Sequence, residues 1–226
     1  MKDTVFVFAR APRLGTVKRR LARDIGDRAA LRFHQATLAR LLRDLAADRR
    51  FVTMLAVTPD RAHVARPRGV AMVPQGRGDL GARMHRTLGR ARRAAVVGCD
   101  IPGLRAADVA AGFRALGRAR ACFGPAPDGG YWLVALGPLR PARPFAKVRW
   151  STEHALADTL ANFAGRRVAL LRWLGDVDTV ADFREGQGSA LDPPRAERPL
   201  DPIHFNNNLP KNAKLRCWAS SASGLL

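Results

Sequence analysis

Thr4-Val5-Phe6-Val7-Phe8-Ala9 is a β-branched and aromatic run that gives way to Arg10-Ala11-Pro12-Arg13-Leu14-Gly15. A run without polar alternation, stopped by Pro and Gly, reads as a strand buried on both faces, as in a mostly parallel sheet. It is too short for a membrane span or a signal-peptide core, and charges follow it in place of a cleavage site. Working outward, further strands are expected over 51–57, 70–73, 94–98, 121–124 and 131–136, with another apolar run at 168–171. Helices are expected over 27–48, 80–93, 106–116 and 151–164. The first carries Leu31, His34, Leu38, Leu41, Leu42 and Leu45 at helical spacing, and Ser151-Thr152 is an N-cap signal for the last. The repeated β-α order, with one hairpin-like pair near 121–136, predicts an α/β fold. Its mixed, mostly parallel sheet would carry helices on both faces and bind ligands at the carboxyl ends of its strands.

The 226 residues suffice for one domain, read here as 1–184, with an appendage. From Glu185 the chain turns to Gly186-Gln187-Gly188-Ser189, Pro193-Pro194, three Asn at 206–208 and a Ser-rich end. Residues 185–226 therefore read as an irregular tail with too little apolar periodicity to offset its ordering entropy. With 47% hydrophobic and 26% charged residues, the composition is that of a globular protein and excludes a collagen-like or wholly disordered chain. The three Cys, at 99, 122 and 217, show no CxxC spacing, which excludes a disulfide framework and a Cys-based zinc motif and suits a reducing cytoplasm.

The net charge is +20, and only 5 of the 39 basic residues are Lys. Such a field attracts phosphates, nucleic acid or anionic surfaces. The arginines, however, are spread over nearly every expected helix and not interleaved with stacking aromatics, Tyr131 being the only Tyr. This is read as compositional bias, without a specific nucleic-acid face.

Four segments carry candidate chemistry. Arg10, Arg13, Lys18, Arg19 and Arg20 surround Gly15 in the loop after the first strand. Gly lets backbone approach an anion and the cations neutralise phosphate oxygens, so a di- or triphosphate would fit; a solvated basic loop is the alternative. This loop has neither the Walker nor the GxGxxG spacing. Asp100, after Ala95-Val96-Val97 and stiffened by Pro102, is placed to hold a divalent cation bridging phosphates, or else serves an Asx turn or helix cap. Asp176-Val177-Asp178-Thr179 offers a second acid for that site, or a cap. Asp128-Gly129-Gly130-Tyr131-Trp132 suggests close backbone approach to a ligand, with Asp128 accepting from a hydroxyl; its alternative is a plain hairpin turn. Asp79 reads as a helix cap, and His34, on an apolar helical face, as packed and not catalytic. No G-x-S-x-G, H-E-x-x-H or Cys-His grouping supports a hydrolase.

Taken together, FARAPRLGTVKRRL, QGRGDLGARM, GCDIPGL, GPAPDGGYWL, Trp150-Ser151-Thr152 and DVDT resemble, in order, a bacterial family of GT-A-like transferases. These are the glycosyltransferases associated with radical-SAM and selenodomain clusters, a family similar to 2-phospholactate and molybdenum cofactor guanylyltransferases. The resemblance spans about Val5 to Phe183. It implies a nucleotide-diphospho-sugar transferase (GT-A) fold, with Arg10, Lys18 and Arg20 facing phosphate and Gly15 beside them. Asp100 and Asp178 would hold Mg²⁺ or Mn²⁺, and Asp128, with Gly129 and Gly130, would meet the acceptor or sugar. Asp79 and Arg83 lie in a shared motif grouped with substrate binding. The chain departs from the family pattern at Arg10, where Lys is usual, at Arg19, which replaces a small hydroxyl residue, and at Cys99, where Ser is common.

The expected function is a cytoplasmic, metal-dependent transferase with Asp100 and Asp128 as catalytic acids. It would use a nucleotide-sugar donor and an acceptor that the sequence does not identify. Nucleotidylyl transfer with release of pyrophosphate is the enzymatic alternative, and a non-catalytic nucleotide- or RNA-binding protein the alternative from another class.

Overall fold

Apolar runs bounded by Gly, Pro and charge become strands, and the amphipathic stretches between them become helices. The computed structural model of the protein describes residues 2–175. Its elements are β1 (Asp3–Arg10), α1 (Arg19–Ile25), α2 (Asp27–Ala47), β2 (Phe51–Thr58), β3 (Ala71–Pro74), α3 (Leu80–Leu88), β4 (Ala94–Gly98), α4 (Ala106–Ala115), β5 (Ala121–Pro125), β6 (Tyr131–Leu136), α5 (Ala155–Ala161) and β7 (Val168–Leu170). The expected boundary at 184, the segment 185–226 and Asp178 lie outside the described residues.

The strands form one seven-stranded sheet in the order β3-β2-β1-β4-β6-β5-β7. β1 sits near its centre, parallel to β2 (Val7 opposite Leu55) and to β4 (Phe6 opposite Val96). β6 runs antiparallel to both β4 and β5, which realises the hairpin-like pair. Successive side chains of β1 point to opposite faces. Val5 and Val7 enter a core with Leu38, Leu41, Leu42 and Leu45 of α2 and Val109 and Phe113 of α4. Phe6 enters a second core with Met84 and Leu88 of α3, Phe123, Val134 and Phe163. Helical cover on both faces explains why β1 has no polar alternation.

Two expected helix boundaries shift by four residues or more. The helix expected to reach Arg93 ends at Leu88, where Gly89 forms the C-cap. Arg140 donates to the carbonyls of Leu88, Ala91, Arg92 and Gly137 at 2.7–2.9 Å, and so satisfies acceptors in the segment that leaves the helix. The last helix begins at Ala155, not at 151, because Ser151 takes a left-handed φ of 61°. Thr152 forms a turn there, donating to the Arg149 carbonyl and accepting from the His154 N–H. Gly26, at φ 81°, separates the short helix α1 from the long helix, whose expected start at Asp27 stands.

Gly124 shows how closely the sheet is packed. A Cβ built there would lie 2.1 Å from the Trp132 ring, so the indole occupies the space above a bare backbone. Gly124→Ala is expected to lower stability by about 1–3 kcal/mol through overpacking, seen as a lower urea midpoint with an unchanged slope.

Candidate active site

At the carboxyl ends of β1 and β4 the chain leaves the sheet as two loops, and these bring the site together. A cleft of about 470 Å³ opens there. One wall carries Arg10, Thr16, Val17 and Lys18 from the loop after β1, with His34 of α2. Gly98, Cys99, Asp100 and Ile101, at the end of β4, form its floor. Asp128, Gly130, Tyr131 and Trp132 come from the β5–β6 turn, which reaches the same end of the sheet because β6 starts there. Leu80, Met84 and Trp150 add apolar surface, and Leu174 lines the edge.

Asp100 is the centre of the polar network. Its Oδ2 lies 3.0 Å from Lys18 Nζ, and its Oδ1 lies 3.1 Å from His34 Nδ1 and accepts from Cys99 Sγ at 3.3 Å. The Lys18 and His34 side chains are only 3% exposed, whereas that of Asp100 is 33% exposed toward the cleft. Burial opposes ionisation of Asp100, but the His34 hydrogen bond and the Lys18 ammonium outweigh it and hold the carboxyl at about 2. Cys99 is pushed well above the ordinary thiol range, by burial first and by the adjacent carboxylate second.

His34 has a further constraint. Its Nε2 lies 3.1 Å from the carbonyl oxygen of Arg10, which can only accept. Its Nδ1 faces an ionised carboxylate, which also only accepts. The ring bridges the end of β1 to the end of β4. Lys18 is held at φ 49°, a left-handed conformation uncommon for a side-chain-bearing residue. It is the N-cap residue of α1, and its side chain is tied to Asp100.

The β5–β6 turn is fixed by different means. Asp128 Oδ1 accepts from the Gly130 N–H at 2.9 Å, an Asx-type contact within the β5–β6 turn, the hairpin turn read as the alternative for this segment. Gly129 has φ 82°, and a Cβ there would lie 2.1 Å from the Glu153 carbonyl oxygen. Its own carbonyl accepts from the Leu156 N–H at 2.9 Å, clamping the turn to the start of α5.

The expected site residues thus separate. Arg10, Lys18, Asp100, Asp128 and Gly130 line one cleft, whereas Gly15, Arg20, Asp79, Arg83 and Gly129 do not line it. Asp79 caps α3 by accepting from the Ala82 N–H at 2.7 Å, and Arg83 donates to Gln75 Oε1 at 3.1 Å. Lys18 faces a carboxylate. His34, read from its apolar helical face as a packed residue, is indeed buried, but it is also a direct partner of Asp100. The available signal was a titratable side chain on the stripe of α2 that faces the carboxyl ends of the strands.

The family model described as "Uncharacterized protein conserved in bacteria (DUF2064)" matches residues 37–152. No curated protein matches the chain. Among solved structures, a candidate nucleotide-diphospho-sugar transferase from Desulfovibrio desulfuricans G20 is 25% identical. It superposes with a TM-score of 0.76 over 84% of this chain and 90% of that one. Rv0371C of Mycobacterium tuberculosis H37Rv, solved as a complex with manganese, is 18% identical, with a TM-score of 0.50 over 84% and 100% of the two chains. The 4-diphosphocytidyl-2C-methyl-D-erythritol synthase of Anaerococcus prevotii DSM 20548 is 9% identical, with a TM-score of 0.53 over 84% and 99%. The mixed seven-stranded α/β architecture is that of a nucleotide-diphospho-sugar transferase. No helix among the described residues is long and apolar enough to cross a membrane.

A carboxyl depressed in the folded state binds fewer protons than in the unfolded chain, so its contribution to stability grows with pH. For Asp100 that contribution is present above the ordinary value of 3.8 and is lost as pH falls toward 2. Asp100→Asn is expected to flatten this part of an acid-unfolding profile followed by circular dichroism.

Proposed function

The chain belongs to the bacterial family described as uncharacterized protein conserved in bacteria, DUF2064, and from that premise we propose that it is a metal-dependent transferase using a nucleotide-activated donor, specifically a nucleotide-sugar glycosyltransferase. One observation carries the reading: Lys18 and Asp100, 82 positions apart, meet at 3.0 Å in the cleft that Arg10 and Asp128 also line. The resemblance to radical-SAM-associated glycosyltransferases and to guanylyltransferases supports the same class, as does the likeness to the Desulfovibrio protein.

The donor set fits a divalent cation shared with phosphate. Asp100 offers a partly exposed carboxylate toward the cleft, and its Oδ2 partner is an ammonium that phosphate oxygens can take over. Asp100 would hold Mg²⁺ or Mn²⁺, with Asp178, four residues beyond Leu174, as a second ligand; the manganese complex of Rv0371C supports a metal of this kind. When bound, the cation would neutralise charge developing on the diphosphate leaving group.

The chain's own residues supply the rest. Arg10 and Lys18 bind donor phosphates, Lys18 exchanging its contact with Asp100 for a phosphate oxygen. Tyr131, Trp132 and Trp150 exclude water on the opposite side. Asp128 has one oxygen committed to the Gly130 N–H, and its other oxygen accepts the proton of the acceptor hydroxyl. Nucleotidylyl transfer would use the same cations with a different leaving group, so the products separate the two. A nucleoside diphosphate marks glycosyl transfer, and pyrophosphate marks nucleotidylyl transfer.

A panel of nucleotide sugars and nucleoside triphosphates, each with and without Mg²⁺ or Mn²⁺, is expected to give a metal-dependent rise in melting temperature with a nucleotide sugar. Asp100→Ala is expected to abolish the metal-dependent part; its retention would remove Asp100 as the ligand. Lys18→Met is expected to lower kcat/KM about 100-fold, as for loss of one preorganised charge at a leaving group.

A further inference from the structure

The side of Asp100 that faces away from Lys18 has a chemistry of its own. Oδ1, His34 Nδ1 and Cys99 Sγ converge, with Oδ1 3.1 Å from the imidazole nitrogen and 3.3 Å from the sulfur. Three such ligand atoms lie within 4.8 Å of one another. In a tetrahedral zinc site with bonds of about 2.0–2.3 Å, neighbouring ligand atoms stand about 3.3–3.7 Å apart, so two of the three separations are already near that spacing. An imidazole, a thiol and a single carboxylate are a borderline-to-soft donor set, unlike the all-oxygen shell that Mg²⁺ prefers.

The second shell is also in place. Metal-bound imidazoles characteristically donate their other N–H to a carbonyl or carboxylate, which fixes the ring orientation. His34 does this, with Nε2 on the Arg10 carbonyl at 3.1 Å. The opposite nitrogen is thereby aimed at Oδ1. Lys18 occupies Oδ2, so a cation on Oδ1 leaves that ion pair intact.

We propose that His34 Nδ1, Cys99 Sγ and Asp100 Oδ1 form a binding site for Zn²⁺ or another thiophilic divalent cation, distinct in donor chemistry from the phosphate-bridging site on Oδ2. Binding forms three coordinate bonds; the Cys99 S–H bond breaks and its proton passes to solvent, as does any proton on His34 Nδ1. All three residues line the cleft, so the fourth coordination position faces it and is open to water or a substrate oxygen. The site does not depend on the transferase reading, because it needs neither nucleotide nor sugar.

Co²⁺ is a suitable probe, because a cobalt–thiolate bond gives a near-ultraviolet charge-transfer band that oxygen and nitrogen ligands do not. The metal-free full-length protein is expected to develop this band up to one equivalent of Co²⁺ and to lose it on adding Zn²⁺. Cys99→Ser is expected to abolish the band. His34→Gln is expected to weaken Co²⁺ binding at least tenfold, while Cys122→Ser, at a buried thiol elsewhere in the sheet, changes neither. Circular dichroism melts of each variant separate loss of the site from loss of the fold. Absence of the band in the unmodified protein overturns the assignment, as does its persistence in Cys99→Ser. Either result leaves the nucleotide panel unaffected, so the two readings fail separately.

Discussion

A largely enclosed carboxylate keeps its charge only where cations are fixed against it, and the cleft is arranged around that requirement at Asp100. β4 delivers the acid, α2 delivers the imidazole, and the loop after β1 delivers the ammonium. Removing either partner would leave a partly enclosed charge without its compensation, an outcome costlier than never having had the pair. Lys18 accepts a left-handed backbone conformation in this arrangement, and His34 binds the end of β1 at the same time as it binds Asp100. The carboxylate thus fastens the basic loop to the sheet and sets the charge of the cleft.

The sheet does the positioning. A parallel trio, β2, β1 and β4, directs its carboxyl ends to one edge, and β6 enters that trio's neighbourhood in the opposite sense. Its amino end therefore lies beside the carboxyl end of β4. That is why a turn of Asp and Gly more than twenty residues after Asp100 shares a cleft with it. The cores on the two faces of β1 hold this register, since a slip of one residue would exchange Phe6 with Val5 and Val7.

Much of this was legible in the chain. Unbroken apolar runs identified the buried strands, and the Gly- and Pro-bounded loops after β1 and β4 located the cleft from the rule that ligands sit at strand ends. What the sequence could not convey was partnership. Lys18 read as a phosphate ligand from its loop, but its distance to Asp100 depends on how two loops from different strands pack. His34 read as core because it shares the stripe of Leu38 and Leu41; only the packing of α2 against the end of β4 shows that this stripe meets an acid. The extra length given to α3 failed at the Gly89 cap, where the Arg140 guanidinium, some fifty positions away, takes the Leu88 carbonyl.

That guanidinium has a bearing on the arginine-rich character of the chain. Arg140 serves four carbonyls from one planar fork, Arg86 holds those of Gln75 and Arg77, and Arg172 reaches both Asp108 and the Gly103 carbonyl. A lysine has three donors on a single atom and cannot span such spreads. Exchanging arginine for lysine throughout would preserve the formal valence of the polypeptide yet unfasten its loops. Part of what looks like codon bias is therefore carpentry.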